Sequence, residues 1–107
     1  MAYREDEIPH YTEQDVLAML GRVTPVRFQM EFEILKQMKL TFYPAGHIAG
    51  AACAYLVTDE GTLFYSGDFA GFSQRTIEGI HIPKLRPDVA IVETTYGNRL
   101  HANRQVV

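Results

Sequence analysis

Three short stretches hold the side chains able to do chemistry: Tyr43-Pro-Ala-Gly-His-Ile-Ala-Gly-Ala, Tyr65-Ser-Gly-Asp-Phe and Glu93-Thr-Thr-Tyr-Gly. Each sets one ionisable group, His47, Asp68 or Glu93, at the end of an apolar, strand-like run and among small residues. An imidazole nitrogen and a carboxylate oxygen are donors that suit zinc and similar cations. A glutamate at a strand end is well placed as a general acid or base, or as a group that orients a neighbour. Each residue also has a plainer reading. His47 could be a loop histidine satisfied by a carbonyl, Asp68 the acid of an Asx-turn, and Glu93 a neighbour of a helix N-cap. The four histidines are His10, His47, His81 and His101, and no two are close in sequence. These residues therefore contain no histidine cluster that would complete a metal site.

The elements that must position these groups are legible from periodicity and punctuation. Thr12 followed by Asp15 predicts an N-capped helix over 13–20, with Val16, Leu17 and Leu20 as its apolar face and Gly21 as its stop. From Val26 to Ile34, Phe28, Met30, Phe32 and Ile34 alternate with charged or polar residues, which predicts a strand with one wet face. Lys39 to Tyr43 reads as a second strand closed by Pro44, and Ala51 to Thr58 as a third, apolar on both faces and so expected to be buried. Asp59-Glu60-Gly61 marks a tight turn, with Thr62 to Ser66 as the hairpin partner. The segment from Asp68 to Arg86 reads as a surface excursion with a helical turn near Thr76–Gly79. Asp88 to Glu93 is an apolar run ending in an acid, and the last ten residues could begin a helix.

At 107 residues the chain is one domain at most, and 47% hydrophobic residues are enough for a core, which argues against disorder. A formal net charge of −3 gives no electrostatic footprint for nucleic acid, so any grip on RNA or DNA is local. The lone Cys53 cannot form an intrachain disulfide and reads as a small buried hydrophobe. The charged start Met1-Ala-Tyr-Arg-Glu-Asp-Glu-Ile has no signal-peptide core, and no apolar run approaches the ~20 residues that span a bilayer. A cytoplasmic protein with no membrane partner is the expectation.

Taken in order, Leu40-Thr-Phe-Tyr-Pro-Ala-Gly-His-Ile-Ala-Gly-Ala-Ala, Leu63-Phe-Tyr-Ser-Gly-Asp-Phe and Pro87-Asp-Val-Ala-Ile-Val-Glu-Thr-Thr-Tyr-Gly-Asn-Arg resemble the metallo-β-lactamase fold. More narrowly they resemble its β-CASP branch of RNA- and DNA-processing nucleases, which includes ribonuclease J and the mRNA 3′-end cleavage endonuclease. The lead-in Tyr11-Thr-Glu-Gln-Asp-Val resembles that branch too, and the Glu93-Thr-Thr-Tyr-Gly element is its specific part. The resemblance implies an α/β fold: part of an αββα sandwich, with a mixed, mostly antiparallel sheet and short helices. Residues 1–107 would form a single partial domain.

It also implies a site. His47 matches a zinc ligand, Asp68 the carboxylate that bridges two zincs, and Glu93 the catalytic acidic residue that opens the β-CASP insertion and helps to orient or protonate groups at the reaction centre. His101 sits where relatives often carry a histidine, and no role is assigned to it. The His-x-His-x-Asp-His motif that supplies most zinc ligands is not among these residues. The expectation is therefore an internal piece of a zinc-dependent nuclease acting on RNA or DNA, inactive as an isolated chain. Its missing half would come in trans, from another polypeptide or by self-association. The rivals are a non-enzymatic binding or scaffold remnant, and another hydrolase of the same fold such as a thioester hydrolase.

Overall fold

A computed structural model describes residues 8–71, 73 and 77–95. The expected helix is α1, Glu13–Leu20, and its start is a reciprocal capping box. The Asp15 amide donates to Thr12 Oγ1 at 3.2 Å, and the Thr12 amide donates to Asp15 Oδ2 at 2.7 Å. These bonds satisfy two amides that the first turn leaves without helical partners. The Thr12 amide and the Thr12 hydroxyl, both donating to Oδ2, hold the Asp15 carboxyl below its ordinary pKa. The apolar face of α1 is present but none of its residues is buried, and Leu17 is 60% exposed.

Five strands follow: β1 (Phe32–Leu35), β2 (Met38–Pro44), β3 (Ala52–Thr58), β4 (Thr62–Tyr65) and β5 (Val89–Ile91). They form one sheet in the order β1-β2-β3-β4-β5, antiparallel except for the parallel β4–β5 pair. This is the mixed, mostly antiparallel α/β architecture that the sequence implies, with one short helix among the described residues. No described helix is long and apolar enough to cross a membrane. The β3–β4 hairpin turns at Asp59-Glu60-Gly61, where Thr58 Oγ1 donates to the Gly61 carbonyl at 2.9 Å.

Three expectations change. The strand expected over 26–34 is ordered as a ladder only from Phe32 to Leu35. Gln29 takes a left-handed φ of 60° and sends its amide to the Phe42 carbonyl at 2.7 Å. A left-handed residue breaks the extended run, so the upstream alternation has no ladder to belong to. The burial expected for both faces of β3 is realised at Cys53 alone; the rest of the strand is half-buried. Of the helical turn expected near Thr76–Gly79, residues 77–79 are irregular and Thr76 lies outside the described residues. The helix expected over the last ten residues also lies outside them.

Among the described residues the core is small: Ala45, Cys53 and Phe64, with Tyr43, Ala51, Tyr55, Phe69, Ile80 and Leu85 packed against it. Burial pushes the Cys53 thiol pKa upward, as expected of an inert packing residue.

The parallel β4–β5 pair is fixed at its start by Asp88. Its Oδ2 accepts from the Thr62 amide at 2.8 Å and from Thr62 Oγ1 at 3.1 Å, while the Asp88 amide donates to the Thr62 carbonyl at 3.1 Å. Asp88→Ala should lower stability by about 1 kcal/mol, the lower range for bonds to a charged acceptor because the site is exposed. It should also speed amide exchange at Thr62. Urea unfolding and hydrogen exchange check both effects, and an unchanged midpoint with unchanged Thr62 exchange would remove Asp88 from this role.

Candidate functional site

Strand directions bring the three stretches together. Because β2 and β4 are each antiparallel to β3, and β5 is parallel to β4, the chain leaves β2, β4 and β5 at the same rim of the sheet. His47 follows the end of β2, Asp68 the end of β4 and Glu93 the end of β5. Polar groups on such a rim are held by strands while their side chains face solvent.

Two glycines let the backbone turn there. Gly46 has a φ of 74°, and a Cβ on it would lie 2.6 Å from the Gly79 carbonyl carbon and from the Ile80 amide nitrogen. Gly79 and Ile80 pack against the end of β2 through that gap. The His81 amide donates to the Pro44 carbonyl at 3.1 Å, and the Ala70 amide to the Ala45 carbonyl at 3.0 Å. Gly67, with a φ of 53°, turns the chain out of β4 just before Asp68.

The rim is then cross-linked by Glu93. Its Oε1 accepts from the Phe69 amide at 3.1 Å and its Oε2 from Thr95 Oγ1 at 2.7 Å. Those two bonds, the Thr95 hydroxyl first, hold the Glu93 carboxyl below its ordinary pKa, and the charge of nearby His47 acts in the same sense. His47 and Glu93 are therefore within electrostatic reach, and Asp68 adjoins Phe69, whose amide Glu93 holds. His47 and Asp68 are exposed and Glu93 is half-buried.

The Asx-turn alternative for Asp68 is not what forms, because no described residue donates a hydrogen bond to its carboxylate. The helix whose N-cap Glu93 would neighbour falls outside the described residues; within them Glu93 braces the neighbouring turn. His101, with Tyr96 and Gly97 of the third stretch, lies outside the described residues. The residue that the sequence reading passed over is Ser66. It is 2% exposed, and its hydroxyl accepts from the Glu93 amide at 3.0 Å. The only signal for it was a hydroxyl placed between the end of a strand and Gly-Asp.

As a metal site the rim is suitable in kind and short in number. An imidazole and a carboxylate suit zinc, but among the described residues no three His, Cys, Asp or Glu side chains cluster as a metal would require.

No protein-family model matches the chain. It is 37% identical over 101 residues to the Schizosaccharomyces pombe endoribonuclease ysh1, covering 94% of this chain and 13% of that protein. It is 32% identical over 95 residues to cleavage and polyadenylation specificity factor 73 of Drosophila melanogaster, covering 89% of this chain and 14% of that protein. To an RNase J-like protein of Methanocaldococcus jannaschii it is 33% identical over 90 residues, covering 84% of this chain and 21% of that protein. The chain thus spans about a fifth or less of the length of these relatives.

The Glu93 bonds predict a pH dependence with a definite sign. A carboxyl whose folded pKa is depressed contributes stability above its unfolded pKa, and the contribution is lost as pH falls through the folded value. The Phe69 amide proton should therefore titrate in NMR spectra with a midpoint below the ordinary glutamate range, and Glu93→Gln should flatten that titration. A midpoint at or above the ordinary range would contradict the geometry.

Proposed function

The chain belongs to the β-CASP branch of the metallo-β-lactamase fold, and from that premise we propose that it carries part of a zinc-dependent RNA-cleaving centre. The observation that supports this most is the gathering of His47, the Asp68 turn and Glu93 on one sheet rim, in a chain 37% identical to an endoribonuclease. The substrate class is RNA, the reaction is phosphodiester hydrolysis, and the site of action is the cytoplasm.

In this reading His47 and Asp68 are two of the groups that hold zinc. A bound zinc pair supplies a hydrolytic nucleophile at neutral pH by lowering the pKa of coordinated water. Glu93 stays ionised and keeps the Asp68 turn in place through the Phe69 amide. A carboxylate engaged at both oxygens is an acceptor at neutral pH, so orientation is its role and proton donation in the resting state is not.

Among the described residues two donors fall short of the three protein ligands that zinc sites use, and on this reading the chain by itself binds zinc weakly and does not turn over RNA. Calorimetric titration should show weak zinc binding that His47→Ala and Asp68→Asn each reduce about tenfold or more, in line with the loss of a coordinating or closely supporting group. Affinity unchanged in both variants would remove the metal assignment. Chelator-sensitive cleavage of single-stranded RNA by the purified chain, abolished by His47→Ala, would defeat the claim of inactivity.

The same reading includes association with a second copy. Leu35, Val89 and Ile91 on the two outer strands are 63%, 53% and 50% exposed, and an outer strand also offers unpaired backbone groups. Light scattering should give a mass above that of one 12.1 kDa chain at tens of micromolar. A strictly monomeric mass across that range counts against self-association.

A further inference from the structure

The rim contains one buried polar side chain that the proposed function does not use. Ser66 is 2% exposed, follows the last residue of β4, and has its hydrogen-bonding capacity engaged in three directions. Its amide donates to the Ile91 carbonyl at 2.9 Å, its hydroxyl donates to the Gly67 carbonyl at 2.7 Å, and its hydroxyl oxygen accepts from the Glu93 amide at 3.0 Å.

The place of these bonds gives them consequence. The last β4–β5 ladder pair is Tyr65 with Ile91, and beyond it β4 turns away at Gly67. The Ser66 hydroxyl carries the pairing two residues beyond the end of β5, to residue 93. A second bond, from the Phe69 amide to Glu93 Oε1 at 3.1 Å, closes the far side of the same turn. Asp68 thus lies between two clamps, at residues 66 and 69, and both attach to residue 93.

We propose that Ser66 is the positioning residue of this centre: through its hydroxyl it ties the turn that carries Asp68 to the strand end that carries Glu93. The proposal deepens the metal-site reading above and rests on it for the role of Asp68. A ligand turn held at both ends needs no reordering when a cation arrives, and losing such outer support weakens metal binding about 10- to 100-fold in comparable sites. Serine suits the position because one small group supplies a donor and an acceptor at once. Threonine has the same hydroxyl, whereas alanine has neither function.

The test uses the 107-residue chain with Ser66→Ala and Ser66→Thr, read by amide exchange at Phe69 and by calorimetric zinc titration. Ser66→Ala should speed Phe69 exchange about tenfold and weaken zinc binding about tenfold. Ser66→Thr should stay within about twofold of the parent on both. Phe69 is not a partner of Ser66, so faster exchange there reports transmission through residue 93 and not the trivial loss of one bond. Should Ser66→Ala lose its circular-dichroism signature, Ser66→Cys takes its place with the same readouts. Unchanged Phe69 exchange, unchanged zinc affinity, or a threonine variant that fails like alanine overturns the proposal. Zinc failing to bind the unsubstituted chain overturns the metal-site reading instead, and the exchange arm still decides whether Ser66 is the clamp.

Discussion

The parallel pairing of β4 with β5 is the constraint on which the rest of this structure depends. A parallel neighbour cannot be reached by a tight turn, so the chain must leave the sheet and return across a long connection. Here the return runs from Ser66 to Asp88, and it is irregular throughout its described part. Such a connection does not set a register by itself. Register comes from the two ends: Asp88 holding Thr62 where the pair begins, and Ser66 holding Glu93 where it stops. Were β5 to slip by one residue, Glu93 would lose the Ser66 hydroxyl and its side chain would move to the opposite face.

That one pairing also decides which side chains meet. Antiparallel neighbours alone would alternate chain ends between the two rims. Adding a parallel strand puts a third carboxyl end beside those of β2 and β4, so an imidazole and two carboxylates share a rim. The connection is not idle in this. Its residues Gly79 and Ile80 pack into the space left by the missing Cβ of Gly46, and its backbone bonds to Pro44 and Ala45 steady the turn that presents His47. Gly46 is needed twice over, for its φ and for the closeness of that backbone.

Much of this was legible from residue order, and the reasons are local. The capping box at Thr12 and Asp15 defines the start of α1, because both partners lie within one turn. Asp59-Glu60-Gly61 marks its hairpin for the same reason, and strand-end placement of His47, Asp68 and Glu93 follows from apolar runs that stop at proline, glycine or acid. What escaped the reading depends on contacts distant in sequence. The shortened β1 reflects a left-handed Gln29 bonded to Phe42, which no periodicity reveals. The modest burial of β3 reflects how little covers the sheet faces among the described residues, whereas composition reports only what could be buried. Ser66 meets Glu93 across 27 positions, and its residue type alone says nothing of that bond.

The bonding of Glu93 changes what kind of centre this rim can be. A glutamate destined to give up a proton near neutrality needs burial or a neighbouring negative charge to raise its pKa. Around Glu93 a hydroxyl on one oxygen, an amide on the other and a histidine within electrostatic reach outweigh its partial burial. Each favours the ionised form. The carboxylate is instead the fixed point to which the Asp68 turn is fastened, while the residue's own amide is fastened to Ser66. Changing its charge would therefore act on the position of Asp68 before it acted on any proton transfer. In this rim, charge and geometry are controlled by the same two hydrogen-bonded oxygens.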